Sequence, residues 1–193
     1  ADMIGRRDIL LGMAGGGLAL GLAAAGPVCA KVLTRGAPTV RFDALEDHSG
    51  GRLGVAVLDL ETGATLAHRA RQRFPMCSTF KFVLASAFLE KVDQGRENLG
   101  RRLPVRAADL VSHSPAVEKH VGGSMSLEEL CEAAITLSDN AATNLLLGQI
   151  GGPKGFTDYV RGLGDDTTRL DRWETAMSES APGDVRDTTS PQA

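Results

Sequence analysis

Ser78-Thr79-Phe80-Lys81 places a hydroxyl and an amine three residues apart. On a helix, residues i and i+3 share a face, so this spacing predicts Lys81 beside Ser78, within proton-transfer reach. A serine hydroxyl is a poor nucleophile until a neighbouring base takes its proton, and a partly buried lysine with a lowered pKa can serve. A helix N-terminus also offers free N–H groups and a positive dipole end, which favour an oxyanion. Taken alone, the pair also fits a cap serine followed by a snorkelling lysine.

The elements around the pair set its position. Pro75 makes a stop upstream, and nothing from Ser78 to Val92 breaks a helix. The spacing of Phe82, Ala85, Leu89 and Val92 predicts a mostly buried helix that starts near Ser78 and ends near Gly95. Before it, residues 39–47 read as a helix carrying Phe42, Leu45 and Glu46, and Gly50-Gly51 breaks the chain. Residues 53–60 and 64–67 read as the two strands of a hairpin turned at Glu61-Thr62-Gly63. After it, residues 110–147 carry helical patterning with little strand signal. Ser126 and Glu129 have the spacing of a capping box, ahead of Leu127, Leu130, Ala134 and Leu137. Gly151-Gly152-Pro153 closes that region, residues 156–163 read as another helix, and from Asp165 the chain is polar and irregular.

Composition limits the function classes. The 193 residues suffice for one sizeable domain or two small packed lobes. A net charge of −3 leaves no basic footprint for nucleic acid. Cys29, Cys77 and Cys131 lack metal-ligand spacing, and His48, His68, His113 and His120 form no cluster, so neither a metal nor a cofactor is expected. Residues 1–30 read as an export signal, with Arg6-Arg7, a weakly apolar run over 9–25, and cleavage after Ala25 or Ala30. The paired arginines fit the twin-arginine route or an ordinary signal with two basic residues. Gly15-Gly16-Gly17 and the shortness of the run argue against a stable membrane span. The part expected to remain, residues 31–193, is then periplasmic or secreted.

Two further motifs bear on Ser78. Ser138-Asp139-Asn140 stands between two apolar helical runs, where it suits a turn and an N-cap. Arg172-Trp173-Glu174 lies in the polar region, with Asp187 later. In this order and at these separations, the three motifs resemble those of the class A serine β-lactamases. Residues 73–81 look like that family's nucleophile segment. Residues 109–120 and 133–142 are similar almost residue by residue, and residues 171–174 and 186–189 resemble the two ends of its omega loop. The resemblance runs from about Arg41 to Ala193.

The resemblance implies an α/β fold of the β-lactamase/transpeptidase type, a helical lobe plus an antiparallel sheet. It implies that Ser78 attacks the lactam carbonyl of a small β-lactam and forms an acyl-enzyme, with its own N–H as one oxyanion donor. Lys81 would help to activate Ser78, and Ser138 would relay a proton to the leaving nitrogen. Glu174 would activate the deacylating water, and either Glu174 or Lys81 would be the acylation base. Asn140 would hold the substrate's side-chain amide, with His113 at the mouth of the site. Arg172 and Asp187 would close the omega loop as an ion pair, and the protein is expected to be a monomer.

Departures from the family accompany these expectations. Thr175-Ala176-Met177-Ser178 follows Glu174 where many members have proline and, later, an asparagine that holds the hydrolytic water. Ser178 stands in the asparagine's place and offers a hydroxyl instead. Cys77 resembles a family subset in which that cysteine is disulfide-bonded, but it has no identifiable partner in this sequence. Cys131 reads as a buried apolar residue. No Lys-Thr-Gly follows the omega loop, and the sheet is expected to be incomplete, with two strands of five. On this reading the chain is a fragment, inactive alone. A penicillin-binding DD-peptidase, or a non-catalytic polypeptide, is the alternative.

Overall fold

Phe80, Leu84 and Phe88 stand on one side of the helix α2 (Phe80–Asp93), and the hydrophobic core is packed around that side. The structure, a computed structural model, describes residues 41–193. The expected export signal lies outside the described residues. Among those described, no helix is long and apolar enough to cross a membrane.

The buried face of α2 is made by Phe80, Lys81, Leu84, Ala85, Ala87 and Phe88. It packs against α3 (Leu127–Thr136) and α4 (Asn140–Gln149), and α5 (Gly152–Gly162) packs on α4. The Phe80 ring meets Phe156 of α5 edge to face at 5.6 Å. Burial of each such side chain contributes about 1.5–3 kcal/mol. The expected apolar stripe is therefore corrected in part. Ala85 is buried, but Phe82 is 71% exposed and Leu89 49% exposed. The buried arc follows Phe80, a residue inside the Ser-x-x-Lys motif, and Phe82 stands on a different arc.

The local signals in the helical lobe fold as expected. Ser126 Oγ accepts from Glu129 N at 3.1 Å, and Glu129 Oε2 accepts from Ser126 N at 2.7 Å, so α3 begins at a complete capping box. Asp139 caps α4, with Oδ1 accepting from Ala142 N at 2.9 Å. A Cβ on Gly155 would stand 1.7 Å from the Ile150 carbonyl oxygen, so the turn between α4 and α5 closes only over a glycine.

Strands are shorter and more numerous than the sequence predicts. β1 (Val55–Leu58) pairs with β2 (Thr65–His68), in register Val55 with His68. The hairpin turn begins at Asp59, whose Oδ1 accepts from the N–H groups of Glu61 and Thr62 and shortens the first strand. β3 (Phe74–Pro75) pairs with β6 (Thr188–Thr189), and β4 (Arg102–Pro104) pairs with β5 (Ser124–Ser126). The last two pairs span only two and three residues a strand, too short to leave an alternating pattern. β5 is a strand within residues 110–147, which the sequence reads as helical with little strand signal.

The helix α1 (Phe42–Ser49) buries no residue fully and is held by the Phe42 ring stacked on His68 at 5.1 Å and by one carboxylate. Glu46 accepts from Arg69 Nε at 2.6 Å, from Arg69 Nη2 at 2.8 Å and from Leu53 N at 2.7 Å. These bonds, those of Arg69 first, lower its pKa from 4.5 to about 2. A carboxyl depressed on folding stabilises the fold above its unfolded pKa, and the contribution is lost as pH falls through the folded value. The contribution of Glu46 to the attachment of α1 is therefore expected to be complete above about pH 4.5 and lost by about pH 2. Amide exchange at Leu53 measures this. Protection of Leu53 that is independent of pH over that window would contradict it.

Candidate active site

Ser78 lies in a 3-10 turn (Cys77–Thr79) that runs directly into α2, after Cys77 at φ 44°. The residue pairs of β3 and β6 hold this entry, and Met76 N donates to the Asp187 carbonyl at 2.9 Å. Arg73 Nη1 donates to the Thr167 carbonyl at 2.7 Å and to Thr188 Oγ1 at 3.1 Å. The nucleophile segment and the polar loop after Asp165 are thus built as one piece.

α3 and α4 deliver the next group. Between them, Ser138 adopts φ 54°, a left-handed conformation that is unfavourable for a residue with a Cβ. Asp139, fully buried, fixes the turn. Beyond its cap bond, its Oδ2 accepts from Ala116 N at 2.9 Å and from Val117 N at 3.0 Å. Ser138 Oγ then lies 2.8 Å from Ser78 Oγ.

Lys81, 2% exposed, occupies the centre. Its Nζ donates to Asn140 Oδ1 at 2.6 Å, to the Ser138 carbonyl at 2.9 Å and to Ser138 Oγ at 3.1 Å. Glu174 Oε1 is 3.1 Å from the same nitrogen. Among the described residues no hydrogen bond joins Lys81 directly to Ser78, and the link runs through Ser138. The expected i, i+3 contact is in this way corrected to a relay of hydroxyls. Glu174 is 5% exposed, and neither of its carboxylate oxygens has a hydrogen-bond partner of good geometry. The pair with Lys81 is thus an ion pair rather than a well-aligned hydrogen bond, and it leaves the carboxylate with acceptor capacity.

The sequence reading leaves out Asn144. Its Oδ1 accepts from Glu174 N at 3.0 Å, and its Nδ2 donates to the Glu174 carbonyl at 2.9 Å. It stands four residues after Asn140 on α4, so one helix face serves both Lys81 and Glu174. The available signal is an amide four residues after Asn140 on the same helix. Trp173, next to Glu174, packs on the start of α5, where a Cβ on Gly152 would approach its Cζ2 to 2.8 Å. Asn144→Leu is expected to cost about 1–3 kcal/mol, because both main-chain groups of Glu174 lose their partners. Denaturant midpoints of the two proteins check this, and equal midpoints would contradict it.

The ends of the loop are closed by Arg172 and Asp187. Arg172 Nε donates to Asp187 Oδ2 at 2.6 Å, while Asp187 Oδ1 accepts from the N–H groups of Asp171 and Arg172. Arg169 holds the Asp171 carboxyl below its usual range. Asn140 Nδ2 donates to the Ser112 carbonyl at 2.9 Å, so its amide is engaged on both sides. His113, exposed, donates from Nε2 to the Leu137 carbonyl at 2.9 Å. Ser178 is exposed, and its hydroxyl contacts Met177 Sδ at 3.6 Å rather than any member of the Lys81 cluster. Cys77 and Cys131 are free thiols, and burial pushes the Cys131 thiol up to about 11.

Comparison with known proteins follows the same residues. Residues 37–193 match the model of a family described as the beta-lactamase enzyme family. An ancestral (GNCA) class A β-lactamase is 60% identical, with a TM-score of 0.76 over 78% of this chain and 58% of its own. The class A β-lactamase of the last common ancestor of Gram-negative bacteria (GNCA4) is 59% identical, with a TM-score of 0.75 over 78% of this chain and 57% of its own. A β-lactamase from Xanthomonas campestris is 50% identical, with a TM-score of 0.74 over 78% of this chain and 56% of its own. The chain thus spans less than three-fifths of the length of each of these structures.

Proposed function

Since the chain belongs to the class A β-lactamases of the beta-lactamase enzyme family, we propose that it carries the acylation and deacylation groups for hydrolysis of a β-lactam amide. The observation that carries this reading is the meeting of Ser138, Asn140 and Glu174 on one buried ammonium, with Ser138 in turn on Ser78.

The steps follow from the contacts. Glu174 takes a proton from Lys81 across 3.1 Å, which leaves a neutral amine. The proton of Ser78 passes to Ser138 and from Ser138 to Lys81, since hydroxyl hydrogens turn to suit the acceptor. Ser78 Oγ attacks the lactam carbonyl carbon, the ring C–N bond breaks, and Ser138 gives a proton to the leaving nitrogen. Ser138 regains one from Lys81, and Lys81 takes back the proton held by Glu174, which is a carboxylate again. Proton transfer of this kind contributes about 10²–10⁴-fold. In the second half, water loses a proton to Glu174 and attacks the ester, and Ser78 regains its hydrogen. A buried carboxylate with unused acceptor capacity suits that step. The same carboxylate favours a hydrolase over a penicillin-binding DD-peptidase, which has no need of it.

Antibiotic resistance is the role that goes with such an activity. A periplasmic setting and a monomeric state complete the proposal, the former supported by Arg6-Arg7 and the apolar run behind them.

Nitrocefin turnover by a parent protein that carries this chain at the full length of the β-lactamases it matches, and by its Glu174→Gln variant, tests the reading. Turnover by the parent, with a long-lived adduct in the variant, is expected. A long-lived adduct in both would favour the peptidase, and no reaction of the folded parent would contradict the proposal.

A further inference from the structure

We infer that His113 is a positioning residue, whose ring holds the Leu137 carbonyl and thereby fixes Ser138 and Asn140 for their contacts with Ser78 and Lys81. The inference rests on the reading of the site given above, in which Ser138 is the relay. The resemblance to known enzymes implies only a ring at the mouth of the site, facing substrate.

The turn between α3 and α4 needs holding. α3 ends at Thr136 and α4 begins at Asn140, and the relay serine sits between them at φ 54°. A left-handed residue with a Cβ persists only where its surroundings over-determine it. Asp139 N donates to the Ala133 carbonyl at 3.1 Å, and Lys81 holds the Ser138 carbonyl. The Asp139 carboxylate holds the turn from Ala116, Val117 and Ala142, and further contacts come from residues 112 and 113. The Ser112 carbonyl accepts from Asn140 Nδ2 at 2.9 Å, and the His113 carbonyl accepts from Asn140 N at 3.0 Å.

His113 adds a side-chain bond of its own, to the residue before Ser138. Its Nε2 lies 2.9 Å from the Leu137 oxygen. A carbonyl only accepts, so Nε2 must carry the hydrogen. The Leu137 carbonyl and the Ser138 N–H belong to one rigid peptide plane. Holding that oxygen therefore fixes the plane on which the φ of Ser138 is built. His113 is itself at φ 62°, and from there its carbonyl reaches residue 140 while its ring reaches residue 137.

Two substitutions separate this role from that of a substrate wall. His113→Phe keeps a ring and loses the donor. His113→Gln loses the ring and keeps an N–H donor at the same number of bonds from Cα. Rates of Ser78 acylation are measured with benzylpenicillin and with 6-aminopenicillanic acid, which lacks the acyl side chain. The expected result is a loss of about tenfold in H113F with both compounds, and recovery to within about threefold in H113Q. The amide nitrogen resonance of Ser138 is read on the same proteins without substrate. It is expected to move in H113F and to return in H113Q. If H113F matches the parent while H113Q is slow with benzylpenicillin alone, the ring is a substrate wall and the inference fails. An unmoved Ser138 resonance in H113F also overturns it. Absence of acylation in the parent would sink the proposed function, and the resonances would still decide the role of His113.

Discussion

Lys81→Met is expected to lower the rate of Ser78 acylation by about 10²–10⁴-fold and to destabilise the fold by about 3–5 kcal/mol. Both effects come from the same place. The ammonium has 2% of its side chain exposed and holds Ser138 and Asn140, while Glu174, its ionic partner, has 1% exposed. Methionine is close in length and fills the volume, so the packing around Phe80 and Leu84 is kept. What remains is a carboxylate in the interior with no partner, which is the expensive way to break a buried pair. The double variant Lys81→Met/Glu174→Gln removes both charges and is expected to recover most of the stability but none of the acylation. Denaturant midpoints at constant m-value, beside single-turnover acylation, separate the two effects. A single variant as stable as the parent would show that the pair is not electrostatically coupled.

Asp187→Ala is the second large effect. Asp187 is 1% exposed and takes hydrogen bonds from Asp171 N, Arg172 N and Arg172 Nε. Its main-chain carbonyl receives Met76 N, so the residue ties the loop to the strand that leads into Ser78. Removal of the carboxylate leaves the Arg172 guanidinium half-buried and two N–H groups unpaired, with an expected cost of about 3–5 kcal/mol. The chemical consequence is selective. Ser138 and Lys81 sit on helices and keep their places, whereas Glu174 sits within the loop that loses its closure. Deacylation is therefore expected to slow by about 10²-fold or more, with acylation changed far less. Asp187→Asn, which keeps an acceptor, should fall between the two. Acyl-enzyme lifetimes and amide exchange at Asp171 and Arg172 report on this, and equal slowing of both steps would contradict it.

Much of the site is legible in the sequence because local rules set it. Ser126 with Glu129 forms a capping box, Asp139 caps α4, and Ser78 and Lys81 lie where a helix begins. These signals need only near neighbours. The contacts that sequence reading leaves out cross long stretches of chain. Asn144 meets Glu174 thirty residues on, and Arg73 meets Thr167 and Thr188 about a hundred residues on. No periodicity encodes such a meeting. Strands of two or three residues are too short for a pattern, which hides β3 and β6 as well as β4 and β5. The exposure of Phe82 is hidden for another reason: in a helix with apolar residues on more than one arc, periodicity does not say which arc its neighbours cover.

Intact mass of the protein after benzylpenicillin, with the adduct located by peptide mapping, tests the central claim most directly. A single penicilloyl group on Ser78, absent in Ser78→Ala and accumulating in Glu174→Gln, is the predicted result. A folded parent protein of full length that takes up no penicilloyl group, or takes it up elsewhere than Ser78, would contradict it.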